Sequence, residues 1–191
     1  MSRVVDGWLQ GAERLPTPNV DDRPAGAPVE LVVIHNISLP PGAYGLRNVH
    51  ALFTNALDPS AHPFFATVAG ARVSAHLLIE RDGTTTQFAS FDRRAWHAGA
   101  SEFDGRQRCN DFSVGIELEG SDFDAYTDAQ YDALNDALAA LVRHYPVRAV
   151  RGHSDIAAGR KTDPGPRFDW SRLALPGSVS LPSVLPPLAA R

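Results

Sequence analysis

The segment between residues 127 and 145 constrains the fold more than any other part of the chain. Thr127 and Gln130 fit a capping box at the start of a helix, and Pro146 ends it. Apolar side chains recur at helical spacing along one face, at Tyr131, Leu134, Leu138, Leu141, Val142 and Tyr145. Strand-like runs lie on both sides of this segment, at 112–118 and 147–151. Since a helix with one apolar face must bury it, we expect this helix to pack on a sheet.

Other segments supply further strands and a second helix. Residues 30–34 (ELVVI) form a β-branched run that is typical of a buried strand. Residues 74–81 and 84–89 flank Asp82-Gly83, a favoured hairpin turn, and so predict an antiparallel pair. Apolar spacing over residues 47–57 predicts a shorter helix that ends before Asp58-Pro59. The pattern therefore predicts an α/β fold with a mixed central β-sheet flanked by helices.

The length of 191 residues fits a single domain, which we place at residues 1–175. Residues 1–29 are rich in Pro, Gly and Asp and are expected to form an extended lead-in. Residues 90–111 have no clear period, and loops of that length in compact domains are often functional. Residues 176–191 contain four prolines, so we expect a Pro-rich C-terminal tail with no share in the core.

Composition limits the classes of partner. The 18 basic and 22 acidic side chains give a net charge of −4, which disfavours a nucleic-acid-binding surface. No apolar run approaches the roughly 18 residues that a bilayer span needs, so no membrane contact is expected. The first residues lack an apolar export segment, which predicts a cytoplasmic location. The single cysteine, Cys109, excludes an internal disulfide.

Two histidines stand directly after strand-like runs. His35 follows LVVI, and His153 follows residues 147–151 and Gly152. Side chains at strand ends are held by rigid backbone and still face a cleft. Asp163 comes ten residues after His153. Two imidazoles and one carboxylate are the ligand set of an open, catalytic zinc site, although a His-x(9)-Asp spacing is a loose pattern on its own.

Two further features could supply catalytic groups. Glu117 and Glu119 lie two residues apart on one face of the strand at 112–118, so one of them could reach the metal cleft. A solvated strand face is the alternative explanation. Lys161 is the only lysine beside 17 arginines, and it lies in the loop between His153 and Asp163.

Several blocks of sequence together resemble a known family of enzymes. They are VIHNISLPP, DPSAHPFF, RVSAH, FDRRAWHAG, CNDFSVGIELEG, YTDAQY and GHSDIAAGRKTDPGPRFDW. The chain is similar in these blocks, and in their order, to the N-acetylmuramyl-L-alanine amidases of the AmpD type, which recycle anhydro-muropeptides. The resemblance runs from about Gly7 to Trp170. It implies the amidase_2 fold, which is also that of peptidoglycan recognition proteins.

The resemblance also implies a mechanism and the residues that carry it. It assigns one catalytic zinc ion to His35, His153 and Asp163. The expected reaction is hydrolysis of the amide between the lactyl group of (1,6-anhydro)-N-acetylmuramic acid and L-alanine, in cell-wall recycling. A zinc-bound water is expected to attack, with Glu117 as general base and then acid. Lys161 is expected to stabilise the oxyanion.

Contacts to the substrate follow from the same resemblance. Arg72 and Arg108 align with family arginines that bind carboxylates of the peptide stem. Asn36 is expected to hydrogen-bond the peptide backbone. Trp96 and His97 are expected to pack on the sugar or the peptide. Burial in the core is an equally good interpretation of Trp96.

Three alternatives to this enzyme have less support in the sequence. Cys109 lacks a convincing base partner, which argues against a thiol nucleophile. A non-catalytic module of the same fold that binds or senses muropeptide would commonly lack a metal ligand or the acid. A periplasmic amidase would need an export signal. The expected partner is therefore a small-molecule muropeptide substrate, and no protein partner is evident.

Overall fold

The structure is a computed structural model that describes residues 2–182. The helices are α1 (Asn48–Phe53), α2 (Phe65–Val68), α3 (Asp128–His144) and α4 (His153–Ile156). The strands are β1 (Val4–Val5), β2 (Trp8–Leu9), β3 (Glu13–Arg14), β4 (Val20–Asp22), β5 (Leu31–Ile37), β6 (Leu77–Ile79), β7 (Thr85–Gln87), β8 (Arg93–Ala95), β9 (Glu102–Phe103), β10 (Arg106–Gln107), β11 (Ser113–Glu119) and β12 (Ala149–Gly152). None of the helices within residues 2–182 combines the length and the apolar character that a bilayer span requires.

Six strands form one central sheet in the order β12-β5-β11-β6-β7-β3. The pairs are parallel except for β6 and β7, which form the predicted antiparallel hairpin. The predicted α/β fold with a mixed central sheet is therefore confirmed.

Helix α3 covers one face of this sheet and begins as predicted. The Thr127 hydroxyl accepts a hydrogen bond from the Gln130 N–H at 3.1 Å, and the Gln130 side chain accepts from the Thr127 N–H at 3.2 Å. The helix buries its apolar stripe against alternate residues of β5, β11 and β12. This core includes Val32, Ile34, Val114, Ile116, Tyr131, Leu134, Leu138, Leu141 and Val150.

The opposite face of the sheet carries the polar residues of interest. Side chains alternate along a strand, so the neighbours of Ile34 and Ile116 point away from α3. These neighbours are His35 and Glu117, which are partners in the parallel register of β5 and β11. The carboxyl ends of β5, β11 and β12 meet at one edge, where ligands bind in open α/β sheets.

The predicted helix over residues 47–57 is too long. Helix α1 ends at Phe53, and the Thr54 N–H donates to the His50 carbonyl at 3.0 Å. Asn55 then has a left-handed backbone with φ of 59°, which ends the helix. The apolar residues Val49, Leu52 and Phe53 nevertheless enter a second core beside α2 and β6.

The tail from residue 176 was predicted to have no share in the core, and that prediction is wrong for the part that the structure describes. Val179 is buried in the α3 core, and Ser180 bridges to Ala149 at the edge strand β12. The Ser180 N–H donates to the Arg148 carbonyl at 2.9 Å. Edge strands offer unpaired backbone groups, and this segment satisfies some of them. Residues 183–191 of the predicted tail lie outside the described residues.

Two further segments are more structured than their composition indicates. The lead-in contains β1 to β4, and its β3 joins the central sheet beside β7. Its Val4 and Leu9 are buried in the α3 core, so we regard residues 2–29 as part of the domain. The stretch at 90–111 contains β8 and the hairpin of β9 with β10.

Candidate active site

The three predicted metal ligands converge on one point at the carboxyl edge of the sheet. His35 lies on β5, His153 opens α4 directly after β12, and Asp163 follows in the next loop. The His35 Nδ1 lies 3.0 Å from the His153 Nδ1 and 2.9 Å from the Asp163 Oδ2. The distance from the His153 Nδ1 to the Asp163 Oδ2 is 3.1 Å. Three potential ligand atoms thus form a nearly equilateral triangle.

The loop that carries Asp163 is tied to the strand ends by hydrogen bonds. The Ser154 N–H donates to the Asp163 carbonyl at 2.9 Å. The Asn36 amide donates to the Pro164 carbonyl at 3.2 Å and to the Asp122 carboxylate at 2.8 Å. These bonds fix the carboxylate of Asp163 against the two imidazoles.

The protonation states of this cluster suit a metal ion. Burial lowers the pKa of His35 to about 4, so its imidazole is neutral at pH 7. Burial alone would raise the pKa of Asp163, but the adjacent nitrogens of His153 and His35 outweigh it and lower that pKa. Metal ligands must be neutral imidazoles and ionised carboxylates. The cluster therefore holds at least one neutral imidazole and a carboxylate ready to bind a cation.

The geometry also fits zinc. The His153 Nε2 lies 3.0 Å from the Ala98 carbonyl, an acceptor that only an N–H can satisfy. An imidazole that donates its Nε2–H to this carbonyl carries its lone pair on Nδ1, the atom that faces the triangle. Zinc bonds of about 2.0–2.1 Å place tetrahedral ligand atoms roughly 3.3 Å apart, close to the sides of this triangle. A set of two nitrogens and one carboxylate, with a fourth direction open to the cavity, is typical of catalytic zinc.

Glu117 lies beside the cluster with an unsatisfied carboxylate oxygen. Its side chain is buried, and Oε2 has no hydrogen-bond partner among residues 2–182. Burial and then the charge of Asp163 raise the pKa of Glu117 well above its usual value, while Lys161 partly opposes them. A carboxyl with a raised pKa can both take up and release a proton near neutral pH.

Glu119 has a different environment, although it lies on the same strand face. Its Oε1 accepts from the Gly45 N–H at 2.7 Å, and its Oε2 accepts from the Arg81 N–H at 3.2 Å. Both oxygens are thus used to hold neighbouring loops. Of the two carboxylates that the sequence offered, the structure places Glu117 beside the candidate metal ligands.

Lys161 lies at the mouth of the site. Its side chain is exposed, and the ammonium makes no hydrogen bond or ion pair with any residue in 2–182. It lines a cavity of about 260 Å³ together with His35, Glu117, His153 and Asp163. A cation at this point is available to an anionic group in the cavity.

The cavity extends away from the cluster past Trp96. Trp96 is half-buried and lines the cavity, and its indole N–H donates to Asp21 at 3.2 Å. An adjoining cavity of about 240 Å³ contains Arg72 beside Trp96. Trp96 is therefore a wall of the site, and Arg72 places a cation one cavity farther out.

A second opening lies on the other side of the cluster. This cavity of about 490 Å³ shares Lys161 and Asp163 with the site and is also lined by Asp122 and Phe123. The Phe123 side chain is 82% exposed, the largest exposure among the large apolar side chains in residues 2–182. The candidate metal centre thus lies between two cavities.

Two predicted substrate contacts, Arg108 and Asn36, have side chains that already bind other groups of the protein. The Arg108 guanidinium pairs with Asp111 at 3.3 Å and lines a separate cavity with Ser101 and Glu102. The structure does not bring it to the cavity beside the cluster. Both hydrogens of the Asn36 amide are used by the Asp122 carboxylate and the Pro164 carbonyl, which leaves its oxygen for other contacts.

His97 lies directly behind His35, with its Nδ1 3.0 Å from the His35 Nε2. Burial and then the rings of His35 and His76 lower the pKa of His97 well below its usual value. Sequence reasoning did not anticipate this contact, nor the role of Arg160, whose guanidinium binds the carbonyls of Ala98 and Ala100 at 2.8 and 2.6 Å. No local pattern indicates these contacts, because each joins segments far apart in the chain.

Comparison with known proteins identifies the family. Residues 25–166 match the model of the N-acetylmuramoyl-L-alanine amidase family. The chain is 58% identical over 171 residues to the 1,6-anhydro-N-acetylmuramyl-L-alanine amidase AmpD of Escherichia coli. That match covers 88% of this chain and 93% of the relative.

Solved structures agree with this match. A crystal structure of a selenomethionine derivative of AmpD superposes with a TM-score of 0.87 at 56% identity, over 88% of this chain and 96% of that one. The Escherichia coli amidase AmiD, solved with anhydro-N-acetylmuramic acid-L-Ala-D-γ-Glu-L-Lys, has a TM-score of 0.56 at 25% identity, over 90% of this chain and 63% of that one. The Drosophila peptidoglycan recognition protein SA shares the fold alone, with a TM-score of 0.54 at 20% identity over 78% of this chain and 79% of that one. The chain belongs to the N-acetylmuramoyl-L-alanine amidase family and is an amidase.

Proposed function

We propose that this amidase is zinc-dependent and cleaves the bond between the lactyl group of 1,6-anhydro-N-acetylmuramic acid and L-alanine in muropeptides. The observation that carries the proposal is the triangle of His35 Nδ1, His153 Nδ1 and Asp163 Oδ2 beside the unpaired carboxylate of Glu117. We further propose that the reaction serves cell-wall recycling, as the similarity to AmpD amidases suggests.

Zinc, when bound by His35, His153 and Asp163, acts as a Lewis acid that acidifies water and polarises a carbonyl oxygen. Glu117 accepts a proton from the attacking water at its free oxygen. The hydroxyl adds to the amide carbon, and the C–N bond breaks as Glu117 returns the proton to the leaving nitrogen. The products are the lactyl carboxylic acid of the sugar and a peptide with a free α-amine.

Lys161 stabilises the negative charge that develops during the reaction. Negative charge develops on the carbonyl oxygen when water adds to the amide carbon. The exposed ammonium of Lys161 has no other partner within residues 2–182 and borders the same cavity as Glu117. A compact point charge suits a single oxyanion.

The arrangement of cavities suits a substrate with two unlike halves. On one side, Arg72 borders the cavity that adjoins Trp96, and its charge matches a carboxylate of a peptide stem. On the other side, Phe123 offers an exposed aromatic face next to Asp122. We propose that the peptide occupies the first cavity and the sugar the second. The expected partner remains a small-molecule muropeptide.

We also propose a cytoplasmic location. The only cysteine of the chain, Cys109, is free and buried, so the fold has no internal disulfide to maintain. Such a chain suits a reducing compartment.

The proposal is tested with purified protein and anhydro-muramyl-tripeptide, using mass spectrometry to identify the products. We expect free tripeptide and anhydro-N-acetylmuramic acid, loss of this activity after chelation, and its return when zinc is added. Cleavage at another bond would overturn the proposed substrate, and full activity in metal-free protein would overturn the zinc mechanism. Tight muropeptide binding without any cleavage would favour a sensing module of the same fold instead.

A further inference from the structure

His97 occupies a place that the proposed reaction does not explain. Its ring lies between His35, with which it shares the 3.0 Å contact, and Ser113, whose Oγ lies 3.2 Å from the His97 Nε2. The ring planes of His97 and His35 are nearly perpendicular, at 82° with centroids 5.1 Å apart. The ring is half-buried, and each of its two nitrogens has one of these partners.

The direction of these hydrogen bonds follows from the group at the far end. The Ser113 hydroxyl lies 2.6 Å from the Cys109 carbonyl, which can only accept, so the hydroxyl donates there. Its oxygen must then accept from His97, which places a proton on the His97 Nε2. The His97 Nδ1 is consequently an acceptor, and the bond to it requires a proton on the His35 Nε2. A neutral His35 is left with its lone pair on Nδ1, the atom that faces the triangle.

The two imidazoles of the cluster thus reach the same tautomer by different routes. His153 donates its Nε2–H directly to a backbone carbonyl, that of Ala98. His35 lies within β5, and its Nε2 meets His97 rather than a carbonyl. Partners of this kind set the orientation and basicity of histidine ligands in metal sites. His97 and Ser113 together connect His35 to the Cys109 carbonyl. That carbonyl is the final hydrogen-bond acceptor behind His35, as the Ala98 carbonyl is behind His153.

Gly115 provides the room for this ring. Ser113, Gly115 and Glu117 alternate along one face of β11. A Cβ added at residue 115 would lie only 2.3 Å from the Cγ of His97. A side chain there would displace the imidazole from behind His35. This face of β11 thus carries the hydroxyl of Ser113 that accepts from His97, the space at Gly115 for the His97 ring, and the proposed base Glu117.

We infer that His97 is a positioning residue that holds the His35 imidazole with its Nδ1 lone pair toward the metal. The inference rests on the proposed zinc site, and it differs from the sequence expectation that His97 contacts the sugar or the peptide. A positioning residue changes the affinity for the metal, whereas a substrate contact changes KM.

Two substitutions at residue 97 separate these roles. His97→Phe keeps a ring of similar shape but removes the acceptor, whereas His97→Asn keeps an acceptor in place of Nδ1. We expect zinc affinity, measured by competition with a chromophoric chelator, to fall roughly 10–100-fold in His97→Phe and by less in His97→Asn. Trp96→Phe, which changes a neighbouring wall of the same cavity, is the matched control and should leave zinc affinity unchanged. Unchanged zinc affinity in His97→Phe together with a raised KM would overturn the inference.

A second measurement reads the tautomer directly. Nitrogen NMR of the imidazoles in the zinc-loaded wild-type chain should show His35 protonated at Nε2 and bound to the metal through Nδ1. Ser113→Ala, which removes the acceptor behind His97 at a small cost in packing, should weaken zinc binding even if His97→Phe does not fold. A wild-type His35 that binds zinc through Nε2 would contradict the inference. Absence of zinc binding by the wild-type chain would instead contradict the proposed function.

Discussion

Glu117 of β11 is the register partner of His35 of β5, so the proposed base and a candidate metal ligand are side by side on adjacent parallel strands. Neighbouring strands lie about 4.8 Å apart. Both side chains point away from α3 and toward the same cavity. The separation between the proposed base and this candidate metal ligand is therefore set by the backbone of the central sheet.

The role of Glu117 predicts a specific loss on substitution. Glu117→Gln keeps the size of the side chain but cannot take up the proton of water. We expect kcat to fall by roughly 10²–10⁴, with one zinc ion still bound per chain. Steady-state kinetics and metal analysis of the same preparation measure both quantities, and a wild-type rate would reassign the base.

Glu119→Gln is the matched control for that experiment. Glu119 accepts from two backbone N–H groups rather than facing the cluster. We expect its replacement to lower the free energy of unfolding by about 1–3 kcal/mol and to leave kcat near the wild-type value.

Lys161 is expected to act on charge that develops during the reaction. Lys161→Met keeps the aliphatic stem and removes the ammonium, so it isolates the effect of the charge. We expect kcat to fall by roughly 10²–10³ with little change in KM. Lys161→Arg should restore only part of the rate, because a planar guanidinium does not match a compact ammonium. A raised KM at an unchanged kcat would show that Lys161 binds substrate in its ground state.

The two arginines implied by the resemblance should differ in importance. Arg72 lines the cavity next to Trp96, whereas Arg108 pairs with Asp111 beside a separate cavity. We expect Arg72→Ala to raise KM for anhydro-muramyl-tripeptide by roughly tenfold or more, the value of one charged hydrogen bond, and Arg108→Ala to raise it less. This difference between the KM values of the two variants should disappear with a substrate whose stem is L-alanine alone. The reverse order would mean that the stem runs toward Arg108.

Stability should depend on pH through a buried histidine outside the site. Burial and then the charge of Arg47 lower the pKa of His50 to about 4, while Glu13 opposes them. The unfolded chain therefore takes up a proton on His50 below about pH 6.5, and the folded chain does so only near pH 4. The contribution of His50 to the free energy of unfolding is complete above pH 6.5 and is lost as the pH falls toward 4.

Replacing His50 tests this dependence. We expect His50→Gln to flatten the loss of stability between pH 6.5 and 4, measured by urea unfolding at several pH values. His144→Gln, at an exposed residue near the end of α3, is the control and should leave the slope unchanged. Identical slopes in all three proteins would mean that other groups account for the acid sensitivity.

Local patterns predicted the elements that carry their own signal. The capping box and the apolar stripe defined α3 nearly to the residue, because both depend on neighbours within one or two turns. The strand-like runs at 30–34 and 147–151 located β5 and β12, and their ends predicted the positions of His35 and His153. Local patterns gave the wrong prediction for the tail. Val179 is buried beside an edge of the sheet that lies 30 residues earlier in the chain, and no pattern within the tail indicates that contact.

The sequence by itself determined the main elements of the central sheet and α3, the family resemblance and the three candidate metal ligands, since these depend on residue type and local spacing. Strand spacing does not distinguish Glu117 from Glu119, and the resemblance alone favours Glu117. The tertiary structure shows that Glu117 borders the cluster, and it alone shows that His97 lies behind His35. Those outcomes depend on strand register and on bonds between segments up to 128 residues apart, such as that from His35 to Asp163. No local pattern encodes such contacts, because they form only when the sheet and the loops at its edge assemble together.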